Sequence, residues 1–303
     1  MRALARAWDS DFLWSFRRSP VALISALLLL VILVGALGSS WLAPYNPFDL
    51  ATLNLMDSLQ PPAFLPEGTS AHLLGTDDQG RDVLSAIMYG SEISIVVGVS
   101  SVLFAVAVGV TIGLVAGYLG GGADAALMRM ADIQLSFPAI LIALLVDGIV
   151  SVSLPRSLAE HLEIYVLIFA IGISFWPQFA RTVRGSTLVE RGKEYVMAAR
   201  VIGLSPARIM VTHILPNVLG PVLVVGTLTL GLAIVSEATL SFLGVGLPPT
   251  QPSVGTLIRI GNDFLFSGEW WITVFPGITL VLMVLSINLL GDWLRDALNP
   301  RLR

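Results

Sequence analysis

The sequence predicts an all-α integral membrane protein: six transmembrane helices, with a helical elbow protruding between the fourth and the fifth. Three observations carry that expectation. The first is composition, with 55% hydrophobic residues, 13% charged residues and a mean hydropathy of +0.83 over 303 residues, a balance suited to a chain whose solvent is lipid. The second is the spacing of charge. Residues 19–48, 93–123, 209–236 and 270–291 contain no Asp, Glu, Lys or Arg, and each reaches the roughly 20 residues that a bilayer crossing needs. Residues 164–180 form a near-minimal crossing, and 133–146 must run past Asp147 to span. The third is the sorting of charge. With both termini on one side, 14 of the 17 Lys and Arg residues fall in the termini and even-numbered loops, and only Arg81, Arg156 and Arg259 fall in the odd-numbered ones. The positive-inside rule then makes the termini and the elbow cytoplasmic. The net charge of −4 belongs mainly to the outer face, and no basic patch sits beside aromatics, so no nucleic-acid partner is expected.

Residues 1–20 carry Trp8, Phe12, Trp14 and Phe16 among arginines and aspartates, the mixture of a segment lying on the cytoplasmic interface. Residues 21–42 form the first helix, retained rather than cleaved, because it runs on to Trp41 and further spans follow. The stretch 43–93 is external and begins irregularly, with Pro44, Pro47, Pro61, Pro62 and Pro66. At Thr76-Asp77-Asp78-Gln79-Gly80-Arg81-Asp82 it tightens into a capping box. Thr76 is the expected N-cap, Gln79 the third helical residue, and Asp77 and Asp78 sit where a helix dipole favours anions, which starts a helix at 77. An acidic metal or substrate site built from Asp77, Asp78 and Asp82 is the alternative, and Arg81 counts against it by neutralising the cluster.

Residues 94–292 make up the transmembrane core. Helix 2, about 94–118, places Gly109, Gly113 and Gly117 on one stripe that lets another helix approach closely. Helix 3 begins near Met128 and passes Ser136-Phe137-Pro138, and helix 4 contains Pro177; both are expected to kink. The elbow occupies 187–216. Its first helix is rich in helix formers, presents Ala198 and Ala199 together with Tyr195 and Ile202, and stops at Gly203, a residue suited to the left-handed C-terminal conformation. Ser205 and Pro206 start a second short helix as N-cap and first residue, leading to Leu215 and Pro216. Helix 5 runs outward from Asn217, which puts Glu237 roughly 30 Å further along. There Glu237, with Ser241, either lines a pathway or meets interfacial water. Helix 6, 270–291, holds Ser286 and Asn288 as its polar interior, Asn288 being a further pathway candidate, and 293–303 is a cytoplasmic tail.

Several chemistries have no residues to carry them. Cysteine is absent, and His72, His161 and His213 are too dispersed to read as a zinc cluster. No H-E-x-x-H, no G-x-S-x-G and no G-x-x-x-x-G-K-[ST] occurs, so no catalytic residue, metal or bound cofactor is expected on this chain. An ion-coupled carrier would be expected to show paired intramembrane charges or inverted repeats; neither is visible.

Three stretches resemble a known family. Ala198-Ala199, then Gly203, then Leu215-Pro216 resembles the EAA loop of ABC importer permeases; the Glu that normally precedes the two alanines is Met197 here, with Glu194 one turn earlier. The run from Leu74 to Gly90, LGTDDQGRDVLSAIMYG, and the C-terminal run from Asn288 to Leu302 resemble the dipeptide and oligopeptide ABC importer permeases. The resemblance implies a type I importer permease that pairs, in membrane lipid, with a second homologous permease. It also implies two ATPase subunits that bind ATP and Mg and seat on the elbow through Glu194, Met197, Ala198, Ala199, Gly203, Ser205, Pro206, Leu215 and Pro216, and a substrate-binding protein outside. Peptides are the implied substrate, with nickel or another small solute as the alternative within the same family.

Overall fold

The computed structural model describes residues 11–49, 53–153, 155–246 and 251–298. Residues 1–10 and 299–303, the ends of the interfacial segment and of the tail, lie outside the described residues, as does most of the loop after Gly246. Among the described residues twelve α-helices form: α1 (Asp11–Arg18), α2 (Pro20–Leu37), α3 (Ser39–Leu42), α4 (Val83–Leu119), α5 (Gly121–Leu135), α6 (Ala139–Ser153), α7 (Arg156–Glu190), α8 (Glu194–Val201), α9 (Pro206–Ile209), α10 (Leu215–Phe242), α11 (Val254–Asn262) and α12 (Trp271–Leu298). No strand forms among the described residues; Thr76 and Asp82 make one isolated bridge. Five helical stretches among the described residues are long and apolar enough to cross a membrane, and a sixth results if the bent pair α5 and α6 counts as one span. One end of this bundle carries the elbow and the other carries the 43–82 loop; they are called the elbow side and the loop side.

Helix α2 opens on a capped, proline-started turn. Ser19 accepts a hydrogen bond from the Ala22 amide, and Pro20 occupies the first helical position. The spine of the bundle is α4 against α7. Gly109, Gly113 and Gly117 face the backbone and β-carbons of 176–187: a β-carbon on Gly109 would lie 2.5 Å from Trp176 O, and one on Gly113 2.6 Å from Ala180 O. The glycine stripe therefore seats a helix of the same chain. Phe179, Ala180 and Val183 fill the space beside it, fully buried. Close backbone approach of this kind is how helices associate where lipid gives no hydrophobic drive.

Three expectations need correction. The helix after the loop does not begin at 77 or at 94 but at Val83, where Asp82 is the N-cap and accepts from the Ser85 amide at 2.8 Å. Thr76 is no cap: Gly80, at φ +77°, turns the chain before a helix can form, and the Thr76 hydroxyl is used elsewhere. At 37 residues, α4 is about 55 Å long and overshoots a bilayer core of about 30 Å. The predicted kink of helix 3 is a corner. Residues α5 and α6 meet at 88°, because Ser136 and Phe137 close the first helix onto Asp132, Ile133 and Gln134 carbonyls while Pro138, lacking an N–H, can only start the next. Met128 lies inside α5 rather than at a helix start. Finally, the second arm of the elbow is no separate helix: α9 passes through a π-helical turn, Met210–Ile214, straight into α10.

Candidate functional site

The elbow is built from alternating inward and outward faces. In α8 the inward side chains are Val196 and Ala199, buried against the core, with Ala199 only 3% exposed. The residues at helical spacing on the other face, Glu194, Ala198 and Val201, point away, and Met197 flanks them. Met197 is 49% exposed, Val201 87% and Ile202 73%. Gly203, at φ +79° with open space around it, ends the helix, and Ser205 caps the next, accepting from the Arg208 amide, with Pro206 in first position. Ser205, Pro206 and Pro216 are exposed and Leu215 is half-buried. So of the two alanines only Ala198 is available to a partner. The apolar tip is Met197, Ala198, Val201 and Ile202; of these only Val201 went unnoticed in the sequence, because only position, not residue type, distinguishes it.

Polar side chains hold the elbow to the bundle. Glu190, the last residue of α7, accepts from Lys193 Nζ and from the Tyr195 hydroxyl, each at 2.7 Å. Asn217 donates to Tyr195 Oη at 3.2 Å and to the His213 carbonyl at 2.7 Å. Burial, together with the Glu190 hydrogen bond, pushes the Tyr195 phenol up to about 12, so it stays a donor at any working pH. Arg184 makes a two-pronged contact with Asp124, and Arg181 pairs with Asp132. Arg191 donates to the Gly117 carbonyl at 2.9 Å, and the Arg200 guanidinium lies over the Tyr118 ring.

On the loop side, Thr76, Asp77, Arg81 and Asp82 come together, but as a stitched knot. Asp77 and Arg81 form a buried pair, Oδ2 to Nε 2.6 Å, while Asp77 Oδ1 accepts from the Gln79 and Arg81 amides. Asp82 accepts from the Ser85 hydroxyl and lies 3.1 Å from His72 Nδ1. Thr76 donates to the Asp57 carbonyl and accepts from the Gln60 amide, and Trp271 Nε1 donates to the Thr76 carbonyl. Every carboxylate oxygen of Asp77 and Asp82 is thus used within the chain. Asp78, beside them, is raised above its ordinary value, by burial first and by Asp77 second, with Arg81 opposing. Among the described residues no three His, Asp or Glu side chains gather as a metal site.

The pathway candidates are all turned inward. Glu237 is 0% exposed, so it neither meets interfacial water nor lines an open surface of this chain. Its carboxylate accepts from the Ser94 hydroxyl at 2.7 Å and from the Ser241 hydroxyl at 2.8 Å, and the Val254 amide donates to Ser94 in turn. The reason is that α4 packs along α10, with Gly98 against Ile234, and this brings Ser94 alongside Glu237. Asn288 is packed where a β-carbon on Gly231 would be 2.5 Å from its Oδ1, inside the contact of α10 with α12.

Residues 109–303 match the family described as binding-protein-dependent transport system inner membrane component, and residues 7–62 match the N-terminal transmembrane domain of oligopeptide transport permease C. The chain belongs to the binding-protein-dependent inner membrane transport family. It is 36% identical over 97% of its length to the di/tripeptide transport system permease protein DppC of Pseudomonas aeruginosa, covering 92% of that protein. It is 39% identical over 97% of its length to the dipeptide transport system permease protein DppC of Escherichia coli K12, covering 93% of it. In fold it is similar to a chain of the MetNI methionine ABC transporter in an inward-facing conformation, with a TM-score of 0.56 and 19% identity over 71% of this chain and 96% of that one. As a member of this family, with its apolar helices, it is a multi-pass inner membrane protein of type I importer permease fold.

Proposed function

We propose that this chain is one of two permease subunits of an ATP-driven peptide importer, and that it carries dipeptides or short oligopeptides. The observation that carries this reading is similarity at 36–39% identity over almost the whole chain to permeases named for di- and tripeptide transport. The elbow side is cytoplasmic, in keeping with the arginines at 181, 184, 191, 200 and 208. There the apolar tip of Met197, Ala198, Val201 and Ile202 seats in a groove of one ATPase subunit, which binds ATP and Mg. The loop side meets a substrate-binding protein. Closure of the two ATPases draws the elbows together and exchanges which side of the pathway between the two permeases is open.

Orientation is tested with single cysteines, which the cysteine-free chain makes unambiguous. Cysteines replacing the exposed Ser70 and Ser205 are expected to label with an impermeant reagent from opposite sides of the membrane; labelling of both from outside overturns the orientation. Dependence is tested by purification: this chain alone is expected to hydrolyse no ATP, with hydrolysis and peptide uptake arising once the second permease, the ATPases and the binding protein are added. Turnover by the chain alone, free of contaminating ATPase, overturns the reading.

A further inference from the structure

The junction between the elbow and α10 is irregular. Residues 210–214 form a π-helical turn inside an otherwise continuous stretch from Pro206 to Phe242. Such a turn widens the backbone and displaces carbonyls from their ordinary partners, and it often marks a functional site. Here side chains take over. Thr212 donates to the Arg208 carbonyl at 2.6 Å, and Asn217 donates to the His213 carbonyl at 2.7 Å. The second hydrogen of the Asn217 amide goes to Tyr195, on the other arm of the elbow.

We propose that Tyr195 and Asn217 are positioning residues that clasp the elbow to α10 across this turn, so that movement of the elbow tip is passed into the membrane span. The inference rests on the elbow being the ATPase contact, as argued above. The Tyr195 hydroxyl donates to Glu190 Oε2 at 2.7 Å, with the His213 carbonyl a longer second acceptor at 3.4 Å, a lone pair accepts from Asn217, and Lys193 occupies the other Glu190 oxygen. One phenol therefore ties together the end of α7, the elbow helix α8 and the foot of α10. The elbow has two attachments of different kinds. Val196, Ala199, Ile209 and Ile214 form an apolar foot, fully or nearly fully buried, which cannot open without exposing core. The polar clasp, where Asn217 is exposed to water, can break and remake while the foot stays seated. With the clasp closed, the angle between elbow and α10 is fixed; with it open, Gly203 and the π-helical turn let the elbow pivot on its seated foot without moving the span.

Two measurements test this. In the full chain in lipid nanodiscs, spin labels on cysteines replacing Val201, at the elbow tip, and Val235, on the exposed face of α10, report the distribution of distances between them. The parental distribution is expected to be narrow, and Tyr195→Phe, which keeps the ring and removes the hydroxyl, is expected to broaden it. In the reconstituted transporter, Tyr195→Phe and Asn217→Ala are each expected to lower peptide uptake per ATP hydrolysed roughly five-fold, the size of one lost hydrogen bond. Because both act through one link, the double variant is expected to be no worse than either single one. An unchanged distance distribution overturns the clasp, whatever uptake does. A broadened distribution with parental uptake per ATP overturns transmission through the clasp; failure of the elbow as the ATPase contact is read separately, as ATPase subunits that still co-purify with the Val201→Glu, Ile202→Glu double variant. Additive losses in the double variant overturn the shared link.

Discussion

The loop side hides its charges and the elbow side displays its apolar residues. Around Asp77 and Asp82 the chain folds polar groups inward, with a buried Asp77–Arg81 pair, His72 on Asp82, and Trp271 reaching the Thr76 carbonyl from a helix 195 residues away. In the elbow, Val201 and Ile202 stand in solvent while the charges nearby lie along the flanks. A segment that has spent its polar groups on itself is a rigid frame. A segment that leaves apolar side chains exposed at the tip of a short helix, while the helix's inner face is buried in the core, fits the docking surface proposed above, because exposed apolar area away from the membrane is tolerated where something covers it. Sequence resemblance marks both stretches equally; the physical roles are opposite.

The contrast breaks most easily at its strongest point. Replacing Arg81 with Ala leaves Asp77 charged and buried without its partner, and removal of one member of a buried pair costs about 3–5 kcal/mol. Thermal unfolding of the purified chain in detergent is expected to show a large drop in midpoint. A variant that unfolds with the parent would mean that the loop is not the rigid frame described here.

Next in size comes Ala199→Trp. Ala199 faces the chain's own core, so overpacking is expected to destabilise by about 1–3 kcal/mol and to lower the unfolding midpoint even with no ATPase present. If midpoint is untouched while ATPase association is lost, Ala199 belongs to the docking surface after all. Gly203→Val sits close behind. A β-branched residue at φ +79° is strained by about 1–2 kcal/mol, and its main expected effect is on uptake, because nothing packs on Gly203.

Val201→Glu and Ile202→Glu sharpen the comparison from the other side. Both residues are exposed, so stability is expected to change by less than about 0.5 kcal/mol, whereas co-purification of the ATPase subunits should fall. Retention of full ATPase binding by the double substitution would remove the apolar tip from the docking surface. The smallest expected effect is at Asp78, whose Oδ1 is buried without a hydrogen-bond partner. Its value is raised above the ordinary 3.8, so the folded state prefers the protonated form. The stabilising contribution of that preference is complete below the ordinary value and lost as pH rises through the raised one. Asp78→Asn is therefore expected to unfold slightly higher than the parent at neutral pH, with the difference closing in acid; a lower midpoint at neutral pH would show that the charge is useful where it is.

Much of the molecule was legible in one dimension. Charge-free stretches named the spans because lipid admits no unpaired charge, and Ser205-Pro206 and Gly203 marked helix ends because capping depends on a handful of neighbouring atoms. The same local reasoning misled at Thr76. A capping box and a turn closed by Gly80 share the same letters, and the choice between them was made by partners at Asp57, Gln60 and Trp271. Arg184 with Asp124 and Tyr195 with Asn217 lie 60 and 22 residues apart and left no pattern to read.

What the sequence determined by itself was the solvent of each segment, the sorting of charge between two faces, and the local starts and stops of helices, all of which follow from side-chain transfer energies and backbone geometry within a few residues. Only the tertiary structure decided where the glycine stripe of α4 docks, that Glu237 is enclosed by Ser94 and Ser241 instead of facing water, and which alanine of the elbow is free. Each of those outcomes depends on which helix packs against which. That choice is made by close fit between surfaces distant in sequence, and a charge or a small residue carries no record of its partner until the chain has closed around it.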